Sequence, residues 1–314
     1  MTSHILAVLI ATLPVFIIVL LGVGLRKWNV IDKAVDSGLT KLLLNVLMPC
    51  FILHNIIGSE VASDVGKVAL LASIGAGIIV CSLGITHAIS PLLGMGKGSG
   101  RRSFSVAAGL QNYGYMAVPL IMSLYGDSEL LATLFLHSLG VELAIFTVGI
   151  MIFSGKFSLN PKILLKGPVI AVFLGVFLNV TQLGSLIPTP LLTSISWLGA
   201  TAVPLALVAI GMSIGEVLPE TRYSLKVSFS AIFIRLIILP AFIIGITYIL
   251  PVDPLIKKVL LVQAAMPAAL FPIILARHYG GKPALVAEVV IVTSIVSFMT
   301  MPLVIVAGTW FLGI

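Results

Sequence analysis

The sequence predicts an all-α polytopic membrane protein of ten transmembrane helices, arranged as two inverted repeats of five. Three observations predict it: the composition, the distribution of basic residues between apolar stretches, and a pattern shared by the two halves. Of the 314 residues, 59% are hydrophobic and only 9% are charged, and the mean hydropathy is +1.21. Ordinary soluble domains contain far more charged residues, so the composition excludes that class.

Apolar stretches long enough to cross a bilayer, about 20 residues each, recur ten times along the chain. They lie at residues 4–25, 38–57, 67–91, 103–124, 129–153, 162–180, 194–214, 225–249, 256–276 and 284–312. The first stretch has no Lys or Arg before it and no small-residue cleavage site after it. We therefore expect a retained helix there rather than a signal peptide.

Basic residues are concentrated in alternate connections. The odd-numbered connections hold 14 Lys and Arg residues and the even-numbered ones hold three. By the positive-inside rule the odd connections are predicted to lie in the cytoplasm and both termini outside it. The membrane expected is the inner (plasma) membrane. A missed or invented span would blur this asymmetry, which favours ten spans. The net charge of +7 is dispersed among short loops, so it does not predict a nucleic-acid partner.

Predicted helices four and nine are both broken near the middle of the span. The breaks read Gln-Asn-Tyr-Gly-Tyr-Met-Ala-Val-Pro at 111–119 and Met-Pro-Ala-Ala-Leu-Phe-Pro at 266–272. In hydrocarbon every backbone N–H and C=O needs a partner, so non-helical backbone survives only beside a cavity or buried in protein. The half-helix that follows a break points its positive N-terminal end at that cavity. The residues that break and cross these helices are Gly114, Pro119, Pro267 and Pro272.

The two halves resemble each other in sequence. The motif Leu21-Gly22-Val23-x-Leu25 returns as Leu174-Gly175-Val176-x-Leu178, with the same offset that relates Pro119 to Pro272. A Tyr-Gly pair follows each break, and Glu-x-x-Ile-x-Thr occurs in the next helix of both halves. We therefore expect repeats at 1–157 and 158–314. Because five helices is an odd number, the second repeat enters the membrane from the opposite face, which allows alternating access between broken helices that cross.

Four segments together resemble the auxin efflux carrier family, and the likeness extends over nearly the whole chain. They are Leu44–Pro49, Gln111–Pro119, Gly199–Met212 and Ala265–Pro272. The resemblance implies a five-plus-five inverted repeat with a proline-based crossover of helices four and nine. It also implies transport of a small organic anion, with Asn112 facing the substrate carboxylate.

The chain departs from the plant members of that family in two ways. Plant carriers tend to place a second polar residue in helix nine, where this chain has Ala265, Met266 and Pro267, so auxin itself is not the expected substrate. The long regulatory loop of many plant members is absent, since residues 154–161 connect helices five and six directly. The closer likeness is to compact prokaryotic carriers, among them those thought to move malonate or malate.

Polar residues near the breaks are the candidates for substrate binding: Asn112, Gln111, Tyr113, Asn45, Gln263 and Pro267. A side-chain amide can donate two hydrogen bonds to a carboxylate without bringing a buried charge. The alternative for Asn112 and Gln111 is an amide clamp between helices. Tyr113 lines the pocket or packs in the core, and Asn45 reaches the cavity or stabilises the kink before Pro49.

Three charged residues fall within predicted spans. Arg235 lies deep in helix eight and should face the interior with a partner, for which Glu142 and Glu288 are the available carboxylates. They serve either as a coupling or anion-attracting site or as structural ion pairs. The histidines are scattered and the two cysteines lie in apolar stretches, so neither a metal nor another cofactor is expected.

The leading functional prediction is a secondary transporter of small carboxylates that works by alternating access at the crossover. One alternative is a sodium-coupled organic anion symporter resembling the bile acid symporters, and another is a membrane sensor without flux. An enzyme is not expected, because all Asp residues fall in connections and no catalytic set lies within the spans. The expected partners are a small organic anion and the lipid bilayer, and the sequence leaves a homodimer open.

Overall fold

The computed structural model describes residues 2–95, 98–155, 165–221 and 223–314, and every regular segment in these ranges is helical. The predicted boundary between the halves at 157/158, and the predicted start of helix six at 162, lie outside the described residues. The helices are numbered below in chain order, and the two halves of an interrupted helix are marked a and b.

Within the described ranges, seven helices are long and apolar enough to cross a membrane. They include α1 (Thr2–Lys27), α2 (33–56), α3 (Val65–Ile89), α5 (Ser128–Ser154), α7 (Thr189–Val217), α8 (Leu225–Ile249) and α10 (Pro283–Leu312). A shorter apolar helix is α6 (Gly167–Val180). Two more helices are interrupted, as α4a (Ser99–Gly109) with α4b (Ala117–Leu124), and α9a (Pro254–Ala265) with α9b (Phe271–His278).

Three of the long helices contain a π-turn, at Leu43–Leu47 in α2, Ile145–Gly149 in α5 and Ile234–Ile238 in α8. In α2 and α8 a proline follows the turn by two residues, and its missing N–H prevents a regular hydrogen-bond ladder there. Helix α2 starts at Lys33 rather than at the predicted residue 38. Lys41 lies within this helix, although it was counted among the residues of the preceding connection.

The helices pack as two groups, which meet where α1 contacts α10 and α2 contacts α5. In the first group α7 packs against α1 and α2, and α2 packs against α6. In the second group α3 packs against α4a and α5, while α10 packs against α4a, α8 and α9a. Helix α9a also contacts α5, which joins the two halves of the chain inside this second group. These two groups define the walls of the site described below.

Glycines allow the closest helix contacts within each group. A Cβ on Gly22 of α1 would lie 2.2 Å from the Val208 carbonyl oxygen of α7, and one on Gly211 of α7 would lie 2.0 Å from the Val19 oxygen. Helices α3 and α5 approach in the same way at Gly140. Lipid offers little hydrophobic drive for helices to associate, so such small-residue contacts supply much of the packing energy.

We expect Gly140→Ala to lower the thermal stability of the protein, because the new Cβ would lie 1.7 Å from the Ala72 carbonyl oxygen. Overpacking of this kind costs about 1–3 kcal/mol. The matched control is Gly77→Ala, since no atom lies within 4 Å of a Cβ at Gly77 in α3. Thermal unfolding of both purified variants in one detergent tests this, and equal melting temperatures would contradict the close α3–α5 packing.

Candidate functional site

The interruptions of α4 and α9 span residues 110–116 and 266–270. The chain re-enters the helix where Pro119 and Pro272 stand in the first turn of α4b and α9b. Proline is well tolerated there, because the N–H groups of a first helical turn have no intrahelical acceptor. Each proline therefore marks where the second half-helix begins.

The two interruptions pair with each other through the backbone. The Asn112 N–H donates to the Pro267 carbonyl at 2.8 Å, and the Ala269 N–H donates to the Leu110 carbonyl at 2.9 Å. These bonds form a single antiparallel bridge between the breaks. Peptide groups that a helix would otherwise satisfy thus find partners in the protein interior.

Two glutamine amides reinforce the paired breaks. Gln111 stands opposite Ala268 in the bridge, and its Nε2 donates to Gln263 Oε1 of α9a at 3.3 Å. The Gln263 Nε2 in turn donates to the Tyr113 carbonyl at 3.0 Å. The Ala268 N–H donates to Thr293 Oγ1 of α10 at 3.2 Å. Both glutamines are fully buried and lie outside the lining of the neighbouring cavity, an arrangement that matches the amide-clamp alternative.

A cavity of about 310 Å³ lies beside the paired breaks, between the two helix groups. Helices α2 and α6 of the first group form one wall, and α5 with the two breaks forms the other. Its polar side chains are Thr40, Lys41, Asn45, Asn112, Tyr113, Tyr115, Ser138, Glu142 and Lys166. The rest of the lining is mostly apolar and includes Leu44, Met48, Ile52, Phe135, Leu139, Val169, Val172, Leu270 and Phe271.

Asn112 lies where the paired backbone meets the cavity. Asn112 is 4% exposed and lines the cavity, and its backbone N–H is hydrogen-bonded to the Pro267 carbonyl. No hydrogen bond among the described residues uses its side-chain amide. A ligand in the cavity therefore has a rigidly held amide donor available to it.

Glu142 and Lys166 form an ion pair across the cavity. The Lys166 Nζ lies 3.3 Å from Glu142 Oε2, and the Tyr113 hydroxyl donates to Glu142 Oε1. The same ammonium group sits 3.6 Å from the ring centroid of Phe146 and 5.0 Å from that of Phe271. The two cation–π contacts and the Glu142 carboxylate thus hold the partly exposed Lys166 ammonium at a defined position.

Asn45 stands inside the π-turn of α2. Its Nδ2 donates to the Lys41 carbonyl at 2.9 Å, within the helix that contains the π-turn, and the residue also lines the cavity. Lys41 lies one helical turn earlier and lines the cavity as well. Helix α2 therefore presents an amide and an ammonium along one wall.

The remaining candidates lie elsewhere. Pro267 contributes its carbonyl to the bridge but does not line the cavity. Glu288 is buried near the start of α8, where it accepts from the Ser224 N–H at 2.8 Å and the Ser228 hydroxyl at 2.7 Å. Burial and the charge of Glu288 together raise the pKa of Tyr223 in the connection before α8.

Arg235 is buried within the π-turn of α8, as expected for an arginine inside a span. The expectation of a partner was wrong within the described part of the chain, because none of its guanidinium nitrogens has a hydrogen-bond partner there. Glu142 and Glu288 are engaged by the partners named above. Whether either carboxylate can reach Arg235 depends on the rotation of each helix and its depth in the membrane, which the sequence does not give.

Lys41 and Lys166 are site residues that the sequence analysis missed, since it counted both as loop charges. A signal for each was present. Lys41 falls inside the predicted stretch 38–57, and Lys166 stands immediately before Gly-Pro, a sequence typical of a helix start. Both side chains therefore belong to helix entrances rather than to free loops.

The comparison with protein families agrees with this architecture. The model of a family described as "Membrane transport protein" matches residues 7–161 and again residues 156–305. The chain belongs to this family. The match confirms the resemblance to the auxin efflux carriers and identifies the chain as a multi-pass membrane protein.

Two curated relatives cover almost the whole chain. An uncharacterized transporter of Methanothermobacter thermautotrophicus is 26% identical over 298 residues, which is 93% of this chain and 95% of the relative. An uncharacterized transporter of Methanocaldococcus jannaschii is 24% identical over 306 residues, covering 93% and 96%. This family member is thus similar to proteins described as transporters over nearly their full length.

We expect Gln263→Met to lower the melting temperature of this family member, because it removes the bond to the Tyr113 carbonyl and leaves the Gln111 amide without its acceptor. Leaving buried polar groups unpaired costs about 1–3 kcal/mol. The control is Gln182→Met on the exposed surface, which should leave the melting temperature unchanged. Equal unfolding curves for the two purified variants would show that the clamp does not hold the breaks together.

Proposed function

We propose that this protein is a secondary carrier of small organic anions, mainly carboxylates, whose substrate rests in the cavity beside the paired breaks of α4 and α9. The observation that carries this proposal is the Asn112 amide, which has no hydrogen-bond partner among the described residues. The bridge fixes its backbone, and the residue lines the same cavity as Lys166. Membership in a family of membrane transport proteins supports a non-enzymatic role.

The chemistry of the lining fits an organic anion better than an inorganic one. The Asn112 amide and the Lys166 ammonium are donors suited to a carboxylate. The N-terminal ends of α4b and α9b add partial positive charge at the breaks. The apolar side chains of α2, α5 and α6 suit the carbon skeleton, and the volume of about 310 Å³ suits a small ligand.

We further propose a ten-helix architecture, with repeats at 1–157 and 158–314 and with α4 and α9 crossing at their breaks. The seven continuous spans, the shorter α6 and the two interrupted helices supply ten crossings. Two successive matches to one family model support an internal repeat. With five helices per repeat the second is inverted, and exchanging the conformations of the repeats gives alternating access.

The basic residues suggest which side of the membrane the cavity faces. Lys41 and Lys166 stand at the beginnings of α2 and α6, both of which the positive-inside rule places in the cytoplasm. In this proposal the structure is the inward-facing state in the inner (plasma) membrane, with both termini outside the cytoplasm.

Two alternatives predict different measurements. A sodium-coupled symporter of the bile acid type would need sodium for binding. At the breaks Gln263 Oε1 accepts from Gln111 Nε2, whereas Gln111 Oε1 has no hydrogen-bond partner among the described residues. A membrane sensor would bind the same anions without moving them. Sodium dependence and flux in proteoliposomes therefore separate these readings from an anion carrier.

We expect at least one carboxylate to stabilise the purified protein against thermal unfolding, because a ligand that binds only the folded state raises its stability. The screen uses acetate, succinate, hexanoate and benzoate as sodium salts. Asn112→Ala should lower the affinity for the stabilising acid about 10–100-fold, since a hydrogen bond to a charged group contributes about 1.5–3 kcal/mol. The melting temperature without acid should remain near that of the wild type.

Two further measurements complete this test. Replacing sodium by potassium should leave the stabilisation unchanged for the proposed carrier and abolish it for a sodium symporter. Uptake of the radiolabelled acid into proteoliposomes separates the carrier from the sensor. Full stabilisation of Asn112→Ala would contradict the assignment of the site, and failure of all the acids to stabilise folded wild-type protein would contradict the substrate class.

A further inference from the structure

The ion pair between Glu142 and Lys166 joins the two helix groups across the cavity. Glu142 belongs to α5 of the second group, and Lys166 immediately precedes α6 of the first. Their charged atoms lie 3.3 Å apart on the lining of the cavity. The pair therefore links the two walls of the cavity between which a substrate would bind.

Lys166 is already arranged to hold a carboxylate. The ammonium group also lies over the neighbouring rings of Phe146 and Phe271, so its direction is set by more than the ion pair. The side chain retains 37% of its exposure, which leaves room for a ligand to approach. Glu142 thus occupies, from within the protein, the position that the carboxylate of an anion would take.

An incoming anion meets an electrostatic conflict at this point. With Glu142 ionised, two carboxylates would share one ammonium group in a largely apolar cavity. Like charges at close range favour protonation of one of them. Of the two carboxylates, Glu142 is the one that stays in the protein, so it is the one that we expect to accept the proton. The Tyr113 hydroxyl can donate a hydrogen bond to the Glu142 carboxyl group in either protonation state.

We propose that the substrate carboxylate displaces Glu142 from Lys166 and that Glu142 then takes up one proton from the aqueous side of the cavity. This inference rests on the proposed carrier function and assigns its coupling ion. The substrate carboxylate replaces the Glu142 carboxylate in the ion pair, and one proton moves from a hydronium ion or a buffer acid to a Glu142 carboxylate oxygen, so that one O–H bond forms as another breaks. Anion binding and proton binding are thereby linked.

Among the described residues, four other charged or titratable groups line the cavity with Glu142. Tyr113 and Tyr115 approach from the first break, Lys166 from the start of α6 and Lys41 from α2. The two tyrosines are neutral in the physiological range and the two lysines are cationic. Glu142 is therefore the group in this set that can take up a proton when an anion enters.

The sign of the pH dependence follows from this linkage. Protonation of Glu142 favours the complex, so affinity for the anion rises as pH falls and weakens by up to tenfold for each unit of rising pH. Replacing Glu142 by Gln removes both the competitor and the proton acceptor. Glu142→Gln should therefore bind carboxylates more tightly than wild type at high pH, and with little pH dependence.

The experiment measures binding of succinate and benzoate by calorimetry between about pH 7 and pH 8.5, where carboxylates free in water are ionised. Titrations in two buffers of different ionisation enthalpy give the number of protons taken up. Wild type should take up as much as one proton per anion, and Glu142→Gln none. The matched control is Glu288→Gln, which keeps an acceptor oxygen for Ser224 and Ser228 outside the cavity and should behave as wild type.

A second measurement needs no substrate. Amine acetylation of Lys166, followed by mass spectrometry, should be several-fold faster in Glu142→Gln, because loss of the carboxylate frees the amine and favours its neutral form. Exposed Lys67 provides the internal control and should react equally in both proteins. Benzoate or succinate should slow acetylation of Lys166 in the variant.

The outcomes separate this proposal from the function beneath it. Unchanged acetylation of Lys166 in Glu142→Gln would overturn the ion-pair exchange without reference to any substrate. Binding of an acid with no proton uptake, or with equal pH dependence in wild type and Glu142→Gln, would overturn the exchange and leave the carrier standing. Faster acetylation with no acid bound by either protein would overturn the carrier, and this inference with it.

Discussion

The backbone pairing of the two breaks is the interaction on which the rest of the site depends. Two N–H to C=O bonds, Asn112 to Pro267 and Ala269 to Leu110, replace helix bonds that the breaks cannot make. A lipid-exposed break would leave such groups unsatisfied, so the two segments have to meet inside the protein. Their meeting point then fixes Asn112 beside a cavity rather than in a packed helix interface.

The asymmetry between the repeated glutamates shows how one motif serves two purposes. In the first half Glu142 faces the cavity and pairs with Lys166, and in the second half Glu288 binds the start of α8. The wall opposite Glu142 comes from the other helix group, whereas the partners of Glu288 come from its own group. Charge at the cavity therefore lies at the boundary between the two groups, where the proposed substrate would bind.

Much of the helical frame was predictable because its signal is local. Apolar length located the spans, and the runs containing Pro119 and Pro272 located the interruptions. Side-chain surroundings were less predictable, because they depend on helix rotation and on contacts distant in sequence. Thus Gln111 and Asn112 are neighbours, yet one binds Gln263 and the other faces the cavity. Lys166 escaped notice because its role arises only when α5, α6 and α9b come together.

Crosslinking of the breaks tests the central claim most directly. Gln111 and Ala268 oppose each other between the two backbone bonds, a position whose Cα atoms lie about 4.5 Å apart and so within disulfide reach. With Cys50 and Cys81 replaced by Ala, Gln111→Cys combined with Ala268→Cys should lose both free thiols on mild oxidation, as counted by alkylation and mass spectrometry after denaturation. Each single variant should keep its thiol. Two thiols that survive oxidation in the folded double variant would contradict the pairing of the breaks.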